Sequence, residues 1–201
     1  MTPELRWRIL TLQVVATVVL AVCAGIGYWA HNFTHDQVRN QLSEQQILFP
    51  PANSPALTAL PAANAREMKQ YAGQQMTDGY QAKTYAENFI AVHLKEIGQG
   101  KTYAYWSGLA ISPKTPAGMK TKAEGLAQTL FRGETLRSLL LQAWAFWFVG
   151  DLALYAAIAL TAGAGIVILA FLFELLIAPR REGIVGRAER REGRMTAHSV
   201  S

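Results

Sequence analysis

The chain has one cysteine, Cys23, so no intrachain disulfide can form even in an oxidising compartment. Charge is missing from two long stretches. Ile9 to Ala30 carries none, and Leu152 to Ile177 carries only Glu174. Neither stretch contains a histidine, which excludes a haem held within a bilayer by histidines from both. Catalytic signatures are lacking too. There is no Gly-x-Ser-x-Gly elbow, and Ser107 has no recognisable base near it in sequence. Gly98-Gln99-Gly100-Lys101-Thr102 ends like a phosphate-binding loop, but that loop needs a glycine where this chain has Lys95, and a strand leading into a helix. Long runs of like charge and basic stripes interleaved with aromatics are also missing, which argues against nucleic-acid binding.

What the chain does have is length of apolar sequence. Each charge-poor stretch meets the roughly 20-residue requirement for a helix crossing hydrocarbon. Arg6 and Arg8 precede the first; Arg180, Arg181, Arg187, Arg190, Arg191 and Arg194 follow the second. Arginine excess marks cytoplasmic flanks, so the expectation is a hairpin with both ends in the cytosol. The segments are residues 1–8 as a cytoplasmic N-terminus, 9–30 as the first transmembrane helix, 31–150 as an extracytoplasmic helical domain, 151–178 as the second transmembrane helix and 179–201 as a basic cytoplasmic tail. The basic balance of 19 Lys and Arg against 14 Asp and Glu then has a topological origin. A cleaved signal peptide is the alternative for the first span. It is disfavoured by the length of the apolar run and by a poor processing site at Ala21-Val22-Cys23-Ala24, where Val22 also spoils a lipoprotein signal.

Helical periodicity begins well before the second span. Leu136, Leu139, Leu140, Ala143, Trp144 and Trp147 recur at steps of three and four, behind a start at Glu134 or Thr135. A helix from there to Ala178 would be about 66 Å long, roughly twice the bilayer core, so its first part must project outward. Trp29, Trp144, Trp147, Arg180 and Arg181 are then expected at the membrane interface. A bend near Gly150-Asp151 or Gly163-Gly165, giving two short spans, would strand one basic tail outside. Small residues four apart, Ala21 with Gly25, Cys23 with Gly27, Ala153 with Ala157 and Ala159 with Gly163, suit close helix packing, either within the hairpin or against partner subunits. Glu174, one turn from the cytoplasmic boundary, can pair with Arg6, Arg8, Arg180 or Arg181.

The central region reads as helices separated by punctuation. His31 to Gln46 continues the first span and stops before Pro50-Pro51; the proline-rich stretch to Pro61 is an extended connector. Asn64 with Glu67, and Asp78 with Gln81, fit capping boxes. Ala82, Tyr85, Ala86, Phe89, Ile90, Leu94 and Ile97 form a stripe ended by Gly98 and Gly100. Thr115-Pro116 opens a further helix with Met119, Ala123, Leu126, Ala127 and Leu130 on one face, and Gly133 is expected to end it. The fold class is therefore all-α, with two transmembrane helices and a small extracytoplasmic bundle built onto their extensions.

Several short stretches carry a resemblance. Ile47-Leu48-Phe49-Pro50, Tyr71-Ala72-Gly73-Gln74-Gln75, Gly79-Tyr80-Gln81-Ala82-Lys83-Thr84-Tyr85-Ala86, His93-Leu94, Gly100-Lys101-Thr102-Tyr103 and Leu130-Phe131-Arg132-Gly133-Glu134-Thr135-Leu136-Arg137 resemble an actinobacterial family of two-span membrane proteins with a helical extracytoplasmic domain. The likeness spans residues 41 to 150 and implies a bacterial plasma-membrane setting. It implies no activity, cofactor or catalytic residue.

His31 and His35, four apart with Asp36 adjacent, would share one helix face at a spacing compatible with a metal. Two ligands do not make a site, so the expectation is exposed interfacial histidines, no metal and no cofactor. A site would need carboxylates such as Asp36 or Glu44 folded onto the pair. His93 reads as a hydrogen-bonded packing residue. The functional expectation is a non-catalytic accessory or scaffolding subunit of a larger membrane or envelope complex, contacting membrane lipid and other membrane protein subunits. The alternative is an extracytoplasmic ligand-sensing module acting through a membrane partner, for which a closed, partly polar pocket would speak. An enzyme ranks third.

Overall fold

The computed structural model describes residues 3 to 176. Arg180, Arg181 and the basic tail from residue 179 lie outside the described residues. Those described form seven α-helices with no β-strand beyond one antiparallel bridge, between Leu48 and Gln75. The helices are α1 (Pro3–Glu44), α2 (Pro55–Thr58), α3 (Ala62–Lys69), α4 (Gly79–Tyr85), α5 (Ala91–Ile97), α6 (Tyr103–Ile111) and α7 (Ala117–Leu176). The all-α reading holds. Both α1 and α7 are long and apolar enough to cross a membrane, and only 11% of the apolar window of each is buried, unlike the core helix of a soluble protein. Two compact units result, one from residues up to Trp29 with those from Ala153 onward, the other from Ala30–Leu152.

In the first unit, helix pairing is made by small side chains. Ala24, Ala157 and Ala164 are buried. A Cβ on Gly27 would lie 2.9 Å from the Ala157 Cβ and 3.0 Å from the Ala153 carbonyl oxygen, so the two backbones meet where that side chain is missing. Gly163 lies opposite Leu20, at 3.9 Å on the same measure. Tyr28 Oη and Thr161 Oγ1 lie 3.4 Å apart, and Arg6 donates to the Glu174 backbone carbonyl at 3.1 Å. Ala21, Gly25 and Ala159 do not join this contact. They are exposed, because the seam follows Leu20, Ala24 and Gly27 at steps of four and three and leaves residues 21 and 25 to either side of it.

The second unit holds the core. Phe49, Leu57, Met68 and Met76 are its largest fully buried side chains, flanked by Val38 and Leu42 from α1 and by Ala123, Ala127, Leu130, Leu140 and Trp147 from α7. The Asp78–Gln81 capping box is complete. Gln81 N–H donates to Asp78 Oδ1 at 2.9 Å, and the Gln81 side chain accepts from Asp78 N–H at 3.3 Å. Helices α4 and α5 form one stem through a π turn at Ala86–Ile90, and Gly98 caps it as expected. The Trp106 indole N–H, from α6, donates to the Gly98 carbonyl at 2.9 Å. The proline-rich connector is not wholly extended, since Ser54-Pro55 starts the single turn of α2.

Two expected signals act differently. Asn64 caps nothing. Pro61 precedes α3, and the Asn64 amide donates to Asn88 Oδ1 at 2.9 Å. Gly133 does not end a helix: α7 runs unbroken for 60 residues, or about 90 Å, through Gly133, Gly150, Gly163 and Gly165. Gly133 instead faces the Leu94 side chain, where a Cβ would collide with it. Any larger residue there would have to displace that side chain, and α7 is helical through Gly150-Asp151 without interruption.

Candidate functional site

Helical spacing places His31 and His35 one turn apart on α1, with ring centroids 4.0 Å apart. Across from them, α7 presents Trp147, Gly150 and Asp151. Gly150 makes the approach possible, because a Cβ there would collide with Thr34 Oγ1 and lie 2.8 Å from His35 Cδ2. The missing side chain also bares the carbonyl. His31 Nδ1 lies 3.1 Å from the Gly150 oxygen, which can only accept, so the imidazole proton sits on Nδ1. His35 Nε2 lies 3.3 Å from the Trp147 carbonyl oxygen and 3.1 Å from Asp151 Oδ1. Its ring stacks on the Trp147 indole with centroids 3.7 Å apart and planes at 24°. The Tyr80 hydroxyl, from α4, donates to the other carboxylate oxygen of Asp151 at 2.7 Å.

This is a layered polar cluster in a partly desolvated place. The His35 and Asp151 side chains are 13% and 17% exposed. Burial is the largest influence on His35 and lowers its pKa below the usual 6.5; the neighbouring His31 adds to this, and the Asp151 carboxylate opposes it. The neutral imidazole, which keeps a lone pair on one ring nitrogen, is thereby favoured. One ligand atom from each of His31, His35 and Asp151 lies within 4.8 Å of those of the other two.

The structure alters several expectations about individual residues. The two histidines are half-buried, not exposed. Their carboxylate partner is Asp151, since Asp36 is exposed with Arg39 at 3.8 Å and Glu44 is also exposed. Trp147 is buried, 8% exposed and packed against Gly79 and His35. Trp144 is half-buried with Lys83 Nζ 4.2 Å above its ring, whereas Trp29 is exposed. His93 behaves as expected, with Nδ1 2.7 Å from the Phe89 carbonyl oxygen. Asp151 was legible only as a charge at the head of a span. Sequence reasoning had no signal that would bring it to the histidines.

A second feature of this unit is a half-open groove of about 640 Å³ between α1 and α7. Phe33, Leu136, Leu139 and Phe146 line it and stay exposed, with Gln37 and Gln142 among its polar residues. Comparison with known proteins gives no further guide: no family model matches the chain, and no curated protein or solved structure matches it.

Proposed function

We propose that this chain is a non-catalytic accessory or scaffolding subunit of a larger membrane complex, with both termini cytoplasmic and residues 31 to 150 outside the membrane. The supporting observation is the groove between α1 and α7. Its apolar wall includes Leu139 at 57% and Phe146 at 55% exposure, and it belongs to the unit outside the proposed spans, where lipid tails do not cover it. An apolar strip rimmed by glutamines fits a helix from a partner subunit, because apolar contact supplies affinity and side-chain amides fix register. The bacterial plasma-membrane setting rests on the arginine-flanked spans and on the resemblance to the actinobacterial two-span family.

Two measurements test this reading. Reporter fusions should place residue 100 outside and residue 201 in the cytosol; a cytosolic residue 100 overturns the topology. Mild-detergent purification should recover a stoichiometric membrane-protein companion, which Leu139→Glu should displace. A monodisperse chain without a companion, or one whose companion is indifferent to Leu139→Glu, overturns the scaffolding role. The sensing alternative gains no such support, since this cavity is an open groove and not an enclosed polar pocket.

A further inference from the structure

The polar cluster beside the groove carries an inference separate from partner binding. We propose that His31, His35 and Asp151 form a three-ligand site for a divalent transition metal, with zinc the best match to two imidazoles and a carboxylate. Three observations carry it. The donor set is complete: one ligand atom from each residue lies within 4.8 Å of the others. Tetrahedral zinc with bonds near 2.0–2.1 Å separates adjacent ligand atoms by about 3.3 Å. The His35 Nε2 to Asp151 Oδ1 distance of 3.1 Å already matches one edge of that tetrahedron.

The surroundings of the donors are those of an oriented ligand set. His31 uses Nδ1 on the Gly150 carbonyl, which fixes the ring and leaves the Nε2 lone pair without a hydrogen-bond partner among the described residues. Metal-bound histidines are held by this kind of bond from the second ring nitrogen to a backbone carbonyl. Asp151 offers Oδ1 while Tyr80 holds Oδ2 at 2.7 Å, so the carboxylate is oriented from behind. Proton balance is simple. The metal takes the place of the Nε2 proton of His35, and that proton moves to Nδ1, so the imidazole stays neutral and the carboxylate keeps its charge. A dication on one carboxylate leaves a net charge of +1 and an open fourth position, which water or a donor from another chain can fill. Nitrogen donors disfavour calcium and magnesium, which take all-oxygen sets.

The test uses the full-length chain in detergent, purified without a histidine tag, stripped with chelator and dialysed against zinc chloride. One equivalent of zinc is expected, retained by a His93→Gln, His198→Gln double variant. Tyr80→Phe should weaken binding by about 10- to 100-fold, as loss of an outer-shell partner does. His31→Gln and Asp151→Asn should weaken it further. Zinc uptake that survives both ligand substitutions in a folded chain, or fails to reach one equivalent at micromolar free metal, overturns the proposal. Where circular dichroism shows that a ligand variant does not fold, cobalt(II) in the unmodified chain decides. Intense visible bands of a four-coordinate ion support the site; the pale spectrum of a six-coordinate aquo ion overturns it.

Discussion

The missing side chain at Gly150 decides whether α1 and α7 can meet around the histidines. Gly150→Ala places a methyl group where Thr34 and His35 already sit, and the backbone around it cannot move without disturbing the His31 bond to the Gly150 carbonyl. A loss of about 1–3 kcal/mol is expected, the usual range for overpacking, read by chemical denaturation in detergent. Unchanged stability would mean that this approach is looser than described. Trp147 gives the opposite kind of test. Its indole is buried between Gly79 and the His35 ring, so Trp147→Ala should cost about 3–5 kcal/mol, whereas loss of an interfacial tryptophan would leave the outer unit almost untouched. Tyr85 adds a pH signature. Burial raises its phenol pKa above the usual 10.0. The folded chain therefore holds this proton longer than the unfolded chain does. The associated stability is complete below pH 10 and is lost as pH rises through the folded pKa. Tyr85→Phe should flatten the alkaline fall in melting temperature. Tyr71, shifted in the same direction mainly by burial, leaves a remainder.

At the level of elements, Gly133 shows how a correct local rule can give a wrong boundary. A glycine after an apolar stripe is a common helix stop, and it commonly works by adopting a left-handed conformation. Gly133 stays inside α7, and the Leu94 side chain fills the space a Cβ there would need. In an isolated helix Gly133→Ala would be worth up to about 1 kcal/mol of stabilisation. In the folded chain it should be destabilising, and Leu94→Ala should relieve that penalty, giving a coupling of about 0.5–3 kcal/mol in a double-mutant cycle. Additive effects would remove Leu94 as the reason for the glycine. What was legible in the sequence has a common property: the two apolar spans, the continuation of the first as α1, the Asp78–Gln81 box and the Gly98 cap are set by residues within a turn or two of one another. The His31 and His35 pair was legible for the same reason. Asp151 and Trp147 were not, because only tertiary packing brings them to α1, and the periodicity that placed Trp147 on a helix face left its neighbours on that face unknown. Helix α6 passed unnoticed because it is short and its sequence is apolar on every side.

For the whole molecule, the question is whether the two long helices pair within one chain. Gly27, Ala153 and Ala157 meet closely in the unit that contains both proposed spans, and a Cβ at Gly27 would lie 2.9 Å from that of Ala157. Disulfide-bonded residues have Cβ atoms about 3.5–4.5 Å apart, so a small separation of the helices would accommodate a bond there. The native chain has a single exposed cysteine, Cys23, which Cys23→Ala removes as a competing partner. On that background, Gly27→Cys with Ala157→Cys should oxidise within the monomer, leaving a fast-migrating band on non-reducing gels. Gly25→Cys with Ala159→Cys, both on exposed faces, should not crosslink internally. Dimers from the first pair at low protein concentration would show that the small-residue seam joins two chains, and the hairpin would then have to be drawn as an exchange between copies. Monomeric bonding fixes the seam inside one chain and leaves the faces bearing Ala21, Gly25 and Ala159 for lipid or a partner helix.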